Sequence, residues 1–272
     1  MAKELYRNIW LRLPTALLIA ASIVIILFIQ SIMLLVLVML MACALLLIEW
    51  GKLSDTKMDL LQIMFCITSM VCMLYFESIF ISAFLYLAMS FWLIYSFFLI
   101  TQNSLSLKMI TFNNNYLGIF LMLSFLFSII ALVTYVDFLG INNFFILFLL
   151  IFITALIDVA AYLIGNLIGK TPLFPKISPN KTLEGLLGGI AAALIFLAVI
   201  YHYSLISQIL LMLLVLVIPF SFVGDCLESQ LKRTHGIKDS GALLPGHGGI
   251  WDRLDSHMAV IPIFAALSFL LI

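Results

Sequence analysis

Four acidic residues near the C-terminal end of the chain are spaced as two pairs that could bind a metal ion. Asp225 and Glu228 lie three residues apart, and Asp252 and Asp255 repeat that spacing. Residues three apart on a helix share one face, so each pair would present its oxygens together. Carboxylate oxygens are ligands that Mg²⁺ prefers, and the pairs therefore predict a metal site. All four acids are candidate ligands on the basis of their spacing.

Basic residues and glycines lie close to these acids. The positive charges are Lys232, Arg233, Lys238 and Arg253, and the glycines are Gly241, Gly246, Gly248 and Gly249. Glycine lets backbone N–H groups approach phosphate oxygens closely. Acids for a metal beside bases for phosphate are the side chains of a phosphoryl or nucleotidyl transfer site, where catalysis is mainly positioning and charge neutralisation. The alternative is a solvated, salt-bridged loop, which the density of glycine and paired acids disfavours.

A second segment, residues 177–189, has the composition of a turn followed by a helix start. Thr182 could cap the helix, with Glu184 in its first turn. Free N–H groups at a helix N-terminus favour an anion such as phosphate, and Lys181 adds positive charge there. The alternative is an ordinary capped turn. If the segment binds phosphate, we expect Lys181 to seat a substrate before reaction, while Lys232, Arg233 and Lys238 act on the leaving group.

Asp158 is an acid inside an otherwise apolar run. Ala161, Gly165 and Gly169 follow it at near-helical spacing, and such small residues allow two helices to pack closely. One interpretation is a buried acid that is hydrogen-bonded to a neighbouring helix. The other is a residue that lines the site, because ionisable groups within a membrane are functional candidates by default. We predict that Asp158 contributes to substrate binding.

The elements that position these residues must be membrane helices. The chain of 272 residues is 65% hydrophobic with a mean hydropathy of +1.27, far above a soluble domain. Nine apolar runs are long enough to cross a hydrocarbon core of ~30 Å. They cover residues 13–29, 31–49, 59–76, 78–100, 116–136, 142–164, 183–201, 204–223 and 257–272. We predict an all-α polytopic membrane protein in which residues 1–157 form N-terminal spans and residues 158–272 form the catalytic region.

The distribution of positive charge predicts the orientation. With nine spans, all 13 basic residues fall on one side of the membrane. The segments on that side are residues 1–12, 50–58, 101–115, 165–182 and 224–256. Because cytoplasmic loops carry the excess of Lys and Arg, we place the N-terminus and the polar segments in the cytoplasm and the C-terminus outside.

Charge and cysteine content exclude other classes. Net charge is zero, which gives no indication of a nucleic-acid partner. The four cysteines form no CxxC pair, so neither a metal cluster nor a disulfide framework is expected. A secondary transporter is a weaker alternative, because its site would lie at mid-membrane between repeated halves and no repeat is visible here.

The order of polar residues in the C-terminal segment is that of a known signature. Its matching positions are Ser229, Lys232, Arg233, Lys238, Asp239, Gly241, Pro245, His247, Gly248, Gly249, Asp252, Arg253 and Asp255. The segment resembles the signature of the phosphatidate cytidylyltransferases, also called CDP-diacylglycerol synthases. Further matches are Gly224, Asp225, Glu228, Ser178, Pro179, Lys181, Thr182, Glu184, Gly185, Gly188, Gly189, Ala161, Tyr162 and Gly165. One departure is Val159, where the family is expected to have a serine or another small residue.

The resemblance implies an enzyme of the cytoplasmic (inner) membrane that makes CDP-diacylglycerol and pyrophosphate from CTP and phosphatidic acid. It implies Mg²⁺, with a monovalent cation such as K⁺ beside it, and Asp225 and Asp252 as the metal-binding acids. The residues it assigns to catalysis are Asp225, Lys232, Arg233, Lys238, Asp239, His247, Asp252 and Arg253. Those expected to bind substrate are Asp158, Ser178, Lys181, Thr182, Glu228, Gly248 and Gly249.

Some choices stay open at the level of sequence. Another CTP-dependent membrane lipid phosphotransferase is the nearest alternative activity, and dCTP is not distinguished from CTP. The expected partners are the two substrates and membrane lipids, without nucleic acid. A homodimer is one option for the oligomeric state.

Overall fold

The chain is built from helices, with one small sheet inserted between two of them. The structure is a computed structural model, and it describes residues 17–54, 58–75, 78–101, 111, 114–136, 140–175, 177–237, 239–241 and 248–271. The first six helices are α1 (Leu17–Ile29), α2 (Ile32–Leu53), α3 (Leu60–Cys72, continued by a 3₁₀ turn over Met73–Tyr75), α4 (Ser78–Thr101), α5 (Asn115–Tyr135) and α6 (Asn143–Ile168).

The C-terminal part contains the sheet and four further helices. These elements are β1 (Pro172–Phe174), β2 (Ser178–Thr182), α7 (Leu183–His202), α8 (Gln208–Thr234), the short α9 (Trp251–Leu254) and α10 (His257–Phe269). Ser207 caps α8 by accepting a hydrogen bond from the Leu210 N–H at 3.3 Å, which satisfies one of the free donors of the first turn.

Six of the described helices are long and apolar enough to cross a membrane: α2, α4, α5, α6, α7 and α8. The apolar helices α1, α3 and α10 are shorter. Every one of the nine apolar runs overlaps one of these helices, so an all-α membrane protein is confirmed. The number of nine spans and the sides on which the termini lie remain predictions.

Helices α5 and α10 form the centre of the molecule. Most residues of both are buried, and α10 packs against α4, α5, α6 and α8. Burial on all sides requires a helix that is apolar all round, as these two are. Because α10 begins just after Asp255, this packing brings the second acidic pair to the end of α8.

Helix α8 continues beyond the apolar run predicted to end at residue 223 and reaches Thr234. Asp225, Glu228 and Lys232 therefore lie on one helical face, as their spacing predicted. Gly224 permits the close approach of the next polar segment. A side chain at this position would collide with the backbone carbonyl oxygen of Asp255.

Residues 178–182, predicted as a turn, instead form strand β2. It pairs antiparallel with β1, with Pro172 opposite Thr182 and Phe174 opposite Ser178. A proline has no N–H to donate to a neighbouring strand. It is tolerated here because each strand of a two-stranded sheet is an edge strand, and one of its sides needs no hydrogen-bond donors. The prediction of a turn used only the residue types within 178–182. The strand forms because this segment pairs with residues 172–174, which the prediction did not consider.

The small residues after Asp158 do allow close helix packing, as predicted. A side chain on Gly185 of α7 would come within 2.8 Å of the Ala161 carbonyl oxygen of α6. One on Gly165 would meet the Thr182 hydroxyl at 3.1 Å. This contact fixes the start of α7, and β2 before it, against the polar end of α6.

Candidate active site

Three carboxyl groups meet where α8 approaches the turn before α10. Asp225, Glu228 and Asp255 each offer one oxygen, and these oxygens lie within 4.8 Å of one another. Burial and the neighbouring carboxylates of Asp225 and Asp158 raise the pKa of the Asp255 carboxyl well above its usual value. Like charges in such a setting repel strongly, so this cluster suits a cation.

Lys181 joins the two polar segments that the sequence left apart. Its ammonium group forms an ion pair with the Asp225 carboxylate, although the two residues come from β2 and α8. Both side chains are largely shielded, with 19% and 28% exposed. The hairpin and the signature segment therefore form one site.

Lys232 connects the carboxylate cluster to Asp252. Its ammonium group pairs with Glu228 one turn earlier on α8 and with Asp252 Oδ1 at 2.8 Å. Glu228 is almost fully buried. A buried carboxylate needs such a partner, because an uncompensated charge away from water is costly.

Asp252 is held by three donors. Lys232 donates to Oδ1. The backbone N–H groups of Ser240, at 2.9 Å, and Gly249, at 2.8 Å, donate to Oδ2. Burial would raise the pKa of the Asp252 carboxyl, but interactions with Glu228, Lys232 and the Gly249 N–H lower it to about 2. Asp252 is therefore a carboxylate at neutral pH and organises the signature loop around itself.

The structure thus groups the four acids differently from their sequence pairing. Asp225, Glu228 and Asp255 form the cluster, whereas Asp252 lies beside it and interacts with Glu228 and with Lys232. The i, i+3 spacing correctly predicted that Asp225 and Glu228 of α8 lie close together. It could not show that the short helix α9 would turn Asp252 and Asp255 towards different partners.

Gly248 has a clear conformational reason to be glycine. Its φ is +79°, in the left-handed region that other residues rarely adopt. A side chain there would also meet Oδ2 of Asp252. The loop can therefore close over Asp252 only with glycine at this position.

Asp158 lies beside the cluster and is hydrogen-bonded to two serines. Its Oδ1 accepts from the hydroxyls of Ser221 at 3.4 Å and Ser256 at 3.3 Å. The serines come from α8 and from the turn before α10, so Asp158 links α6 to both. The hydrogen bonds to neighbouring elements agree with the first interpretation, but Asp158 is exposed and not buried. Its place beside the cluster is compatible with the second interpretation.

The start of α7 is fixed by two side chains that the sequence identified. Thr182 accepts a hydrogen bond from the Gly185 N–H at 3.1 Å, which confirms the predicted cap. Glu184 accepts hydrogen bonds from the Lys170 N–H at 3.1 Å, the Thr171 N–H at 3.2 Å and the Thr171 hydroxyl at 3.0 Å. These bonds hold β2 in the position from which Lys181 reaches Asp225.

The other predicted residues are less closely tied to the cluster. Arg233, Asp239 and Arg253 are exposed, and Ser178 is half-buried on β2. Lys238 and His247 lie outside the described residues. Sequence reasoning missed Ser221, Ser240, Ser256 and Glu49, which bond to the site or its loop. An acid in an apolar run was a usable sequence signal for Glu49, as it was for Asp158.

The named groups of the site comprise five carboxyl groups and two ammonium groups. The carboxyl groups are Asp158, Asp225, Glu228, Asp252 and Asp255, and the ammonium groups are Lys181 and Lys232. This excess of negative oxygen ligands fits a hard divalent cation such as Mg²⁺. The fold and the site define a polytopic helical membrane protein in which carboxylates and two lysines from different elements meet in one charged cluster.

Comparison with known proteins identifies the family. The model of the cytidylyltransferase family matches residues 10–271, so the chain belongs to this family. It is 43% identical over 123 residues to a phosphatidate cytidylyltransferase of Staphylococcus saprophyticus, and 46% identical over 123 residues to those of Staphylococcus haemolyticus and Staphylococcus aureus. Each alignment covers 44% of this chain and 46% of the relative, so the match spans about half the length of those proteins.

Proposed function

We propose that the protein transfers CMP from CTP to phosphatidic acid, giving CDP-diacylglycerol and pyrophosphate. The observation that carries the proposal is the ion pair between Lys181 and Asp225, because it unites the two signature segments in one charged site. Family membership and the names of the relatives support the same activity. The apolar helices α6 and α8, which carry Asp158 and Asp225, suit a lipid substrate.

The proposed cation is Mg²⁺, held by Asp225, Glu228 and Asp255. Asp252, which the resemblance also assigns to the metal, is within reach of the same cluster through Lys232. When bound, the ion would neutralise phosphate charge and support pyrophosphate as the leaving group. A second cation such as K⁺ belongs to the proposal through the family resemblance alone.

The chain's own residues would mainly position the reactants. A phosphatidate oxygen is already an anion, so it needs relief from repulsion by the triphosphate more than it needs a base. It attacks the α-phosphorus of CTP, and the bond to the β-phosphate oxygen breaks to release pyrophosphate. Lys181 and Lys232 would supply fixed positive charge, and no covalent intermediate with the protein is required.

The lipid would enter from the side of the membrane. Beside Asp158, helix α6 exposes Val159, Tyr162 and Leu163, which are 57%, 71% and 52% exposed. An apolar face next to a charged cluster suits a ligand with acyl chains and a phosphate head group. CTP would arrive from the aqueous side.

The test of this function is the conversion of labelled CTP by purified protein in detergent micelles. We expect a chloroform-soluble labelled product only when both phosphatidate and Mg²⁺ are present. Diacylglycerol in place of phosphatidate is the matched control, because it has the same acyl chains without the phosphate nucleophile. Equal labelling with diacylglycerol, or none with phosphatidate, would refute the proposal.

We also propose nine spans, with the N-terminus and the active site in the cytoplasm. The support is the distribution of all 13 basic residues on one side of such an arrangement. A reporter fused after residue 272 should report the outside, and one inserted near residue 108 should report the cytoplasm. The same compartment for both reporters would contradict this topology.

A further inference from the structure

Glu49 is a buried acid in the N-terminal part of the chain. It lies in the last turn of α2 and is only 1% exposed. Acids are almost never buried to this extent without partners, because the charge loses its hydration. The partners of Glu49 therefore indicate what the residue does.

These partners are two points of the signature loop. The Ser240 hydroxyl donates a hydrogen bond to Glu49 Oε1. The backbone N–H of Ile250 donates to Oε2 at 2.7 Å. A side chain from the N-terminal part thus bonds to both ends of the stretch between Ser240 and Ile250.

Asp252 bonds to Ser240 as well, and to Gly249, the residue before Ile250. The Ser240 N–H and the Gly249 N–H both donate to Asp252 Oδ2. Glu49 holds the Ser240 hydroxyl and the N–H next to Gly249 from the opposite side. Two carboxylates from different helices, Glu49 and Asp252, therefore hold the two described ends of this loop, at Ser240 and at Gly249 and Ile250.

Glycine at position 249 fits this arrangement. A side chain there would overlap the Glu49 carboxylate and the Ser240 hydroxyl. One on Gly241 would meet Glu49 Oε1 at 3.0 Å. The sequence predicts that these glycines let phosphate approach the backbone. In the structure, the Glu49 carboxylate occupies the place that a side chain on Gly249 would take.

The rest of this turn of α2 supports the same contact. The Trp251 indole N–H donates to the Leu46 carbonyl oxygen at 3.1 Å. The rings of Trp50 and Trp251 lie 4.9 Å apart between centroids. Trp251 directly precedes Asp252, so α2 holds the residue before the acid as well as the loop bonded to it.

We propose that Glu49 is a positioning residue of the transferase site, acting through Ser240 and Ile250 on the loop that orients Asp252. The proposal rests on the proposed function, because its effect is measured on that reaction. Glu49 itself touches neither substrate nor metal in this role. Its loss would leave the site's charged residues in place but would release the loop that bonds to Asp252.

The experiment compares Glu49→Ala with Glu49→Gln. We expect Glu49→Ala to lower kcat about thirtyfold, which is about 2 kcal/mol at 1.36 kcal/mol per factor of ten, with little change in KM for phosphatidate. Glu49→Gln should stay within about threefold of wild type. Its amide oxygen can accept from Ile250, and its amide N–H can donate to the Ser240 hydroxyl.

The matched control is Asn143→Ala. Asn143 donates hydrogen bonds to the Val136 carbonyl oxygen at 2.6 Å and to that of Val133 at 3.3 Å, at the opposite end of α6 from the site. This variant should lower the thermal midpoint and leave kcat per folded molecule unchanged. A purely structural role for Glu49 would give the same pattern in Glu49→Ala, and that result would overturn the proposal.

A pair of loop variants tests the contact itself. Gly249→Ala should be less active than Glu49→Ala, because the new methyl group overlaps the carboxylate. Adding Glu49→Ala and Ser240→Ala to Gly249→Ala should restore activity to the level of the Glu49→Ala, Ser240→Ala double variant, since both colliding groups are then gone. A triple variant as inactive as Gly249→Ala would show that Gly249 is needed for another reason, and would overturn the assignment.

Ser240→Ala serves if Glu49→Ala does not fold. It removes one of the two bonds to Glu49, and we expect kcat to fall about threefold to tenfold with a thermal midpoint near that of wild type. An unchanged kcat would overturn the proposal. A wild-type protein without phosphatidate-dependent labelling would instead refute the proposed function, so the two failures are distinguishable.

Discussion

The two parts of the chain on either side of residue 158 use polar side chains in opposite ways. In the part before it, the described polar groups mostly bond within their own helix, as the Ser124 hydroxyl does to the Leu121 carbonyl oxygen at 2.8 Å. In the part after it, Lys181, Lys232 and Asp158 link different elements. Bonds within a helix satisfy buried groups, whereas bonds between elements fix the geometry of a site.

Glu49 is the clearest exception to this division. It comes from the N-terminal part, yet both of its bonds are made to the C-terminal loop. The boundary drawn from the density of charge is therefore not a boundary of the site. Substitutions of groups that link different elements should affect the reaction, whereas substitutions of groups bonded within one helix should affect only stability.

The largest effect is expected at Asp225. Asp225→Asn removes a negative charge from the proposed metal cluster without changing the size of the side chain, so we expect kcat to fall about a hundredfold or more. Activity should be measured across a Mg²⁺ titration. Asp59→Asn, at the exposed start of α3 in the N-terminal part, is the control and should leave kcat unchanged.

Retention of more than about a tenth of the wild-type rate at saturating Mg²⁺ would mean that Asp225 is not a direct ligand, because a tenth is only about 1.4 kcal/mol.

Asp252→Asn tests whether Asp252 binds the metal, as predicted from the sequence, or holds the loop, as its hydrogen bonds in the structure suggest. If Asp252 binds the ion, the half-saturating Mg²⁺ concentration should rise as it does for Asp225→Asn. If it orders the loop, kcat should fall with a nearly unchanged Mg²⁺ requirement.

The next effect is expected at Lys232. Lys232→Ala leaves Glu228 buried without its partner and frees Asp252, so both kcat and the thermal midpoint should fall, kcat by about thirtyfold. Lys52→Ala, an exposed lysine at the end of α2, is the matched control for the loss of one positive charge. Equal changes in both variants would show that Lys232 contributes only general charge.

Lys181→Ala is expected to have a smaller effect on the rate. The structure changes which kinetic constant we expect this substitution to affect. From the sequence, Lys181→Ala should mainly raise a KM. Because Lys181 pairs with Asp225 in the cluster, we now expect kcat to fall about tenfold as well. Measuring kcat and KM while CTP and phosphatidate are titrated separately tests this expectation. A rise in KM alone would support the prediction from the sequence, in which Lys181 seats a substrate while the other basic group acts on the leaving group.

The smallest effect is expected at Glu184, which touches the hairpin and not the cluster. Glu184→Gln keeps one acceptor oxygen for the Lys170 and Thr171 donors, so we expect kcat to fall no more than about threefold. Ser124→Ala in the N-terminal part should show no change in kcat under the same assay. A loss at Glu184 as large as that at Asp225 would place Glu184 within the reacting site.

Much of the fold and of the site was predictable because the signals are local. The apolar runs fixed the helices, since each run must be buried in lipid or in the core. The spacing of Asp225, Glu228 and Lys232 fixed their common face once α8 was known to continue. The cap at Thr182 depended on residues within one turn, and it too was predicted correctly.

The sequence by itself determined the class of the protein, the polar segments and the residue types of the site. Only the tertiary structure decided that β2 pairs with β1, that Lys181 meets Asp225, and that Asp255 joins the α8 acids while Asp252 orders the loop. Only the tertiary structure brought Glu49 to Ser240 and Ile250. The physical reason is that periodicity reports which side of one helix a residue occupies, whereas these contacts depend on how distant helices pack together.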